Sequence, residues 1–184
     1  SITYNINPST IVYTLIAIAY DKIFVGYITI ADSIKQDAQI TIDKLKALGV
    51  KTTMLSGDKS TVVKYVADIL GIENAFGDLL PEDKVNKVKE IKAKNQTVCF
   101  VGDGVNDAPS LKAAHIGIAM GKRGTDVARE ASAIVLLDDD FSAIPAAMRL
   151  GRRIFDNLRK AMGFIFAVHV PIGGLALAPL LTGW

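Results

Sequence analysis

The sequence predicts a doubly wound α/β domain, a parallel sheet covered by helices on both faces, continued by a long C-terminal helix that enters a membrane. Three observations carry this. Short β-branched, apolar segments alternate with stretches whose apolar residues recur at helical spacing, the pattern of parallel strands joined by crossover helices. Glycine- and acid-rich turns follow several of those strands, where open parallel sheets bind their ligands. The last 24 residues, Ala161 to Trp184, hold no Asp, Glu, Lys or Arg, and about 20 apolar residues suffice to cross the hydrocarbon core.

Taken in order, Val12 to Tyr20 and Ile23 to Ile30 are rich in Val, Ile, Tyr and Phe and flank Asp21-Lys22, which predicts two antiparallel strands around a tight turn. From Ser33 the period changes: Ile34, Ala38, Ile42, Leu45 and Leu48 mark a helix closed by Gly49. Val50 to Leu55 reads as a strand ending in Ser56-Gly57-Asp58. Ser60 to Leu70 carries Val62, Val63, Val66, Ile69 and Leu70 at helical spacing and stops at Gly71. A strand near Ala75 to Leu79 precedes Pro81, which suits the first turn of a helix holding Val85, Val88 and Ile91. Thr97 to Val101 has no charge, as expected of a strand buried on both faces, with Cys99 in the core. A helix near Ala108 to Ala114, a strand Ile116 to Met120, a helix Thr125 to Ser132 and a strand Ala133 to Leu137 complete the series.

From Phe141 a helical pattern runs on without a strong breaker before Pro171. Arg149, Arg152, Arg153, Arg159 and Lys160 stand near its start against Asp156 alone, a local charge of +4 in a chain whose total is +2. Basic residues at one end of a span place that end on the cytoplasmic side. His169 lies inside the uncharged run, with Pro171 and Gly173-Gly174 after it; it marks a cation route or bonds a neighbouring helix. Ser1 and Trp184 read as cut ends, so the chain is expected to be part of something longer.

Composition removes several classes. With 50% hydrophobic and 22% charged residues, the chain buries enough surface to offset its ordering entropy and is not disordered. One cysteine excludes an internal disulfide framework and any multi-thiolate metal site. A total charge of +2 makes no case for nucleic acid.

Three polar clusters fall beyond the carboxyl ends of predicted strands: Ser56-Gly57-Asp58; Lys84, after Pro81-Glu82-Asp83; and Gly102-Asp103-Gly104-Val105-Asn106-Asp107. Singly, each has an ordinary reading as a turn, a solvated lysine or an acidic loop. The third is no EF-hand, because the twelfth position counted from Asp103 is Ala114, which offers no ligand. Together, a hydroxyl beside backbone N–H groups, a lysine and paired carboxylates describe a phosphoryl site with Mg²⁺. Hydroxyl and ammonium neutralise phosphate oxygens, and carboxylates hold the hard metal.

Gly102-Asp103-Gly104-Val105-Asn106-Asp107-Ala108-Pro109 resembles the hinge signature of P-type cation-transporting ATPases, within the haloacid dehalogenase-like superfamily. Met54 to Asp58 is similar to their Thr-Gly-Asp motif with serine in place of threonine. Leu80 to Lys84 is similar to the segment supplying their phosphate-contacting lysine, and Ala31 to Lys35 to the segment returning from the nucleotide domain. Gly26 to Lys94 looks most like heavy-metal pumps, and Asp107 to Gly174 more like bacterial calcium-pump relatives.

The resemblance implies a Rossmann-type, haloacid dehalogenase-like fold and a fragment of an ATP-driven cation pump. Residues 1–24 would end the nucleotide domain, 25–148 would form the phosphorylation domain without its first strand, and 149–184 the stalk and part of a transmembrane helix. Asp103 would ligate Mg²⁺, supported by Asp107. Asn106 would lie near the phosphate, Ser56 and Lys84 would hold its oxygens, and Gly57 and Asp58 would complete the nucleotide end. ATP would be bound mainly by the upstream remainder of the same pump. The bilayer and a transported metal cation would be the other partners, with residues 1–160 cytoplasmic. The family nucleophile, an aspartate in Asp-Lys-Thr-Gly-Thr, is absent: Asp21-Lys22-Ile23-Phe24 shares two residues and sits in a predicted turn. Two alternatives remain. One is a self-sufficient phosphatase of the same superfamily using Asp138-Asp139-Asp140; the other is a membrane-anchored module without catalysis.

Overall fold

The computed structural model describes residues 14–30 and 34–183. Strands β1 (Thr14–Tyr20) and β2 (Ile23–Ile30) pair antiparallel, closing on Tyr20 opposite Ile23. Asp21 and Lys22 between them have φ of 49° and 65°, the two positive values that a two-residue type I′ hairpin turn requires. The predicted first strand began at Val12, and residues 12 and 13 lie outside the described residues. Most described side chains of the hairpin are exposed, among them Tyr20, Ile23, Val25 and Tyr27.

The alternating series follows as expected from the periodicity. Helix α1 (Gln36–Ala47) buries Ile42 and Leu45; its predicted start at Ser33 lies outside the described residues. Strand β3 (Thr53–Leu55) is shorter than the predicted Val50 to Leu55. Helix α2 (Ser60–Leu70) matches its predicted bounds, buries Val63, Ala67 and Leu70, and ends on Gly71 in the left-handed region at φ 62°. Strand β4 (Asn74–Phe76) pairs parallel with β3. It stops before the predicted Leu79, because Gly77-Asp78 turns back toward α2, with Asp78 at φ 54°. Helix α3 (Pro81–Ala93) starts at its proline.

Strands β5 (Cys99–Gly102), β6 (Ile116–Met120) and β7 (Ile134–Leu136) form a second parallel sheet in that order. Helices α4 (Ala108–Ala113) and α5 (Asp126–Ala131) connect them, and the Thr125 hydroxyl caps α5 by accepting the Ala128 N–H at 3.2 Å. The core here is Val88, Phe100, Leu111, Ala119 and Ala128, with Leu55 of β3 packed against it. Two sheets therefore share apolar cover, although β3 pairs only with β4 and β5 only with β6 among the described residues.

One expectation fails. The strand at Cys99 is not buried on both faces: Phe100 points into the core, and Cys99, one residue away on the opposite face, is exposed. Strand side chains alternate, so an uncharged strand still exposes one face wherever nothing described covers it.

The chain divides into two compact units, Ser1–Ser142 and Ala143–Trp184. The second is the single helix α6 (Ala143–Thr182), 40 residues that run on through Pro171. It is long and apolar enough to cross a bilayer. The His169 Nδ1 lies 3.0 Å from the Ile165 carbonyl one turn back, so its described partner is in its own helix.

Leu111 is 2% exposed at the centre of the second core. Leu111→Ala is expected to cost about 2–5 kcal/mol through lost transfer energy and an unfilled cavity. Urea unfolding checks this, and a loss under about 1 kcal/mol would show that the core collapses around the gap.

Candidate functional site

The three predicted clusters are tied to one another, the first two through the backbone and the third through a side-chain ion pair. The Ser56 N–H continues the parallel ladder by donating to the Phe76 carbonyl at 2.9 Å, and the Ser56 carbonyl accepts the Leu79 N–H at 3.1 Å. This fixes the end of β3 against the residues just before α3. Pro81 opens α3, and the Asp83 carboxylate accepts the Leu80 N–H at 3.0 Å, so the first turn is capped and its rotation set. That turn carries Lys84, whose Nζ donates to Asp107 Oδ1 at 2.8 Å. The two side chains are 14% and 13% exposed. Lysine and acid, 23 residues apart in sequence, thus meet at the edge where β3 and β5 end.

Asp107 is held from its other side as well. Its Oδ2 accepts the Gly104 N–H at 3.2 Å, and its own N–H donates to the Gly104 carbonyl at 3.1 Å across a 3₁₀ turn, Val105–Asp107. The carboxylate lies over Gly102, where an added Cβ would come within 2.7 Å of the Asp107 Cβ. Any side chain at 102 would push the acid off its place, which gives the first glycine of the motif a packing reason. Asn106 lies in the same 3₁₀ turn.

Asp103 differs from Asp107. Its side chain is 47% exposed, and its described ionic neighbour is Arg123 at 3.9 Å. A cleft of about 250 Å³ opens beside it, lined also by Lys35, Asp37 and Phe141. Ser56 and Asp58 form a small self-contained turn. The Ser56 hydroxyl donates to Asp58 Oδ2 at 2.8 Å and accepts the Asp58 N–H at 3.2 Å. Among the described residues no three His, Cys, Asp or Glu side chains converge as a metal cage. The open Asp103 carboxylate, with the more sheltered Asp107 close by in sequence, is a hard-oxygen donor set that fits Mg²⁺, which keeps waters and takes one or two carboxylates.

The sequence reading missed the residues that hold this edge in shape. Asp139, 8% exposed and at φ 56°, accepts the N–H groups of Lys122 and Arg123 at 3.0 and 2.9 Å. Arg129 grips the same loop from behind, donating to the carbonyls of Gly121 (2.8 Å) and Gly124. The Thr125 N–H then donates to the Asp103 carbonyl at 2.9 Å. The loop after β6 is thereby clamped on both polar edges and delivers Arg123 to Asp103. Asp78 does similar work at α2, accepting the N–H and hydroxyl of Ser60. No local sequence signal marks these pairs, which join segments up to 18 residues apart.

Each carboxylate of the run Asp138-Asp139-Asp140 has a described partner. Asp138 pairs with Lys122 at 3.0 Å, Asp139 holds the loop, and Asp140 accepts the Ser142 N–H at 2.9 Å. Burial pushes the Asp139 carboxyl up, but the N–H groups of Lys122, Arg123 and Gly121 outweigh it and hold it below the ordinary aspartate value. Hydrogen bonds from Ser60 to Asp78, and from Ser142 to Asp140, lower those two acids.

Two parallel ladders on a shared apolar core, with polar loops after β3, β4 and β5, define a recognisable class. One family model, haloacid dehalogenase-like hydrolase, matches residues 8–115, and a second of the same description matches 83–148. The chain belongs to the haloacid dehalogenase-like hydrolases. Among curated proteins it is similar to a probable cadmium-transporting ATPase of Staphylococcus aureus (strain MRSA252), 39% identical over 93% of this chain and 23% of that protein. It is likewise similar to a cadmium, zinc and cobalt-transporting ATPase of Bacillus subtilis (strain 168), 40% identical over 91% of this chain and 25% of that one. Among solved structures, a zinc-transporting PIB-type ATPase in the E2.Pi state superposes with a TM-score of 0.77 and 34% identity, covering 93% of this chain and 27% of that chain. The chain thus spans about a quarter of the length of these relatives.

The lowered acids set a pH dependence. A carboxyl whose folded value lies below its unfolded one stabilises the fold above the unfolded value, about pH 4, and the contribution is lost as pH falls through the folded value. Melting temperature should therefore drop below about pH 4. Asp139→Asn should melt lower than wild type at neutral pH and show a flatter acid limb. A variant that melts like wild type at neutral pH would show that Asp139 does not hold the loop.

Proposed function

We propose that this chain is the phosphate- and Mg²⁺-binding part of the phosphorylation domain of a metal-transporting P-type ATPase, joined to the helix that enters the membrane. The observation that carries the reading is the Lys84–Asp107 pair at 2.8 Å, which joins the edge after β4 to the edge after β5. A serine hydroxyl after β3, a lysine after β4 and two carboxylates after β5 supply phosphate and metal ligands together.

In this reading Asp103 holds Mg²⁺ with Asp107 in support, and the metal supplies neutralisation of phosphoryl oxygens when bound. Lys84 sits where its ammonium can pass from Asp107 to a phosphate oxygen. The Ser56 hydroxyl would turn from Asp58 to a phosphate oxygen, with Gly57 and Asp58 completing the nucleotide end and Asn106 near the phosphate. The nucleophilic aspartate comes from an upstream strand of the same pump, between β3 and β5. The upstream remainder also binds most of the ATP. Residues 1–24 close that nucleotide domain, 25–148 are the phosphorylation domain, and 149–184 are the stalk and the start of a transmembrane helix. Residues 1–160 are cytoplasmic. The transported cation is a heavy metal, by likeness to cadmium-, zinc- and copper-named relatives over more than nine-tenths of the chain.

Labelled ATP tests the division of labour. The 184-residue chain should retain no covalent label, and the complete pump should retain it. Asp103→Asn in the complete pump should weaken Mg²⁺-dependent labelling by about tenfold or more, the scale of losing a principal charge-assisted contact. Label on the isolated chain, or unchanged Mg²⁺ dependence in the variant, would contradict the reading.

A further inference from the structure

The charged residues of α6 are not scattered around it. At about 100° per residue, Arg149, Arg152, Arg153, Asp156, Arg159 and Lys160 fall within an arc of about 120°. The opposite side carries Leu150, Ile154, Leu158 and Met162, 43–60% exposed. The stripe is net +4 and stops at Lys160, immediately before 24 residues without a charged side chain. Five of the six charges in the arc are basic, with Asp156 alone against them, and a helix oriented only by its basic end would not need its bases on one side.

We propose that this stripe is a binding site for anionic phospholipid headgroups on one side of α6. The inference rests on the reading of α6 as a membrane-entering helix. Charge and position both select the ligand. If the uncharged run begins at the hydrocarbon boundary, Arg159 and Lys160 lie in the headgroup layer, about 5–7 Å deep. Arg153 and Arg152 stand about 10–12 Å above Lys160, within reach of long side chains bending down toward phosphates. Arg149 stands about 16 Å above, twice the Debye length of about 8 Å at physiological salt. The site is therefore graded along the helix, strongest at its membrane end.

Electron spin resonance of the full chain in phosphatidylcholine vesicles, with trace spin-labelled phosphatidylglycerol or phosphatidylcholine, measures the selectivity. Wild type should favour the anionic probe by about threefold or more, and the preference should fall with added salt. Arg159→Gln with Lys160→Gln should bring it close to parity, whereas Arg149→Gln should leave it nearly unchanged. Absence of preference in the wild type would overturn the proposal. So would equal losses for Arg149→Gln and the double variant, which would mean bulk attraction rather than a placed site. Resistance to carbonate extraction is read in parallel. A chain that is extracted refutes the membrane reading and this site with it, while an inserted chain lacking selectivity refutes only the site.

Discussion

The short contact between Lys84 and Asp107 is the constraint on which the polar edge depends. Each partner belongs to a segment set by a different strand: Lys84 to the first turn of α3 after β4, Asp107 to the 3₁₀ turn after β5. An ion pair this sheltered is weak evidence for stability, since desolvation offsets most of the attraction. Its consequence is positional. With Leu79 bonded to Ser56 on one side and Gly104 bonded to Asp107 on the other, the pair leaves little freedom between the hydroxyl and carboxylate clusters. Asp103 remains open beside them, fixed by its backbone and not by its side chain.

The sheet shows the complementary constraint. Strands β3 and β5 contribute to one apolar core through Leu55 and Phe100, yet among the described residues they belong to separate ladders. A strand edge presents unpaired N–H and C=O groups that seek a partner. Two such edges over a shared core suit one further parallel strand, and a residue at its carboxyl end would arrive beside Ser56, Lys84 and Asp103. In the proposed reading the nucleophile would stand at that same place.

Much of this was legible in the sequence. The change of period at each helix, Pro81 at a helix start and Gly71 at a helix end are local signals, and the structure places those elements within a few residues. The three clusters were legible because their residue types are unusual together and because each follows a strand. The rest depended on tertiary contacts. Asp139 and Asp78 look like ordinary turn acids, and only the fold shows that each clamps a loop many residues away. Cys99 departs from expectation because lack of charge in Thr97 to Val101 does not report burial of both faces: Phe100 is buried and Cys99 is exposed. Length errors in β3 and β4 have the same origin: ladder partners, and not propensity, end a strand.

The central claim is that the β3 and β5 edges await a strand carrying the nucleophile. A synthetic peptide with an apolar strand followed by Asp-Lys-Thr-Gly-Thr, added with Mg²⁺ and the phosphoryl analogue beryllofluoride, supplies that strand in trans. Hydrogen exchange of the chain is the direct measurement. The account predicts slowed exchange in both Thr53–Leu55 and Cys99–Gly102, dependent on Mg²⁺ and lost in Lys84→Ala. Unchanged exchange at both strands, in a chain that otherwise remains folded, would contradict it.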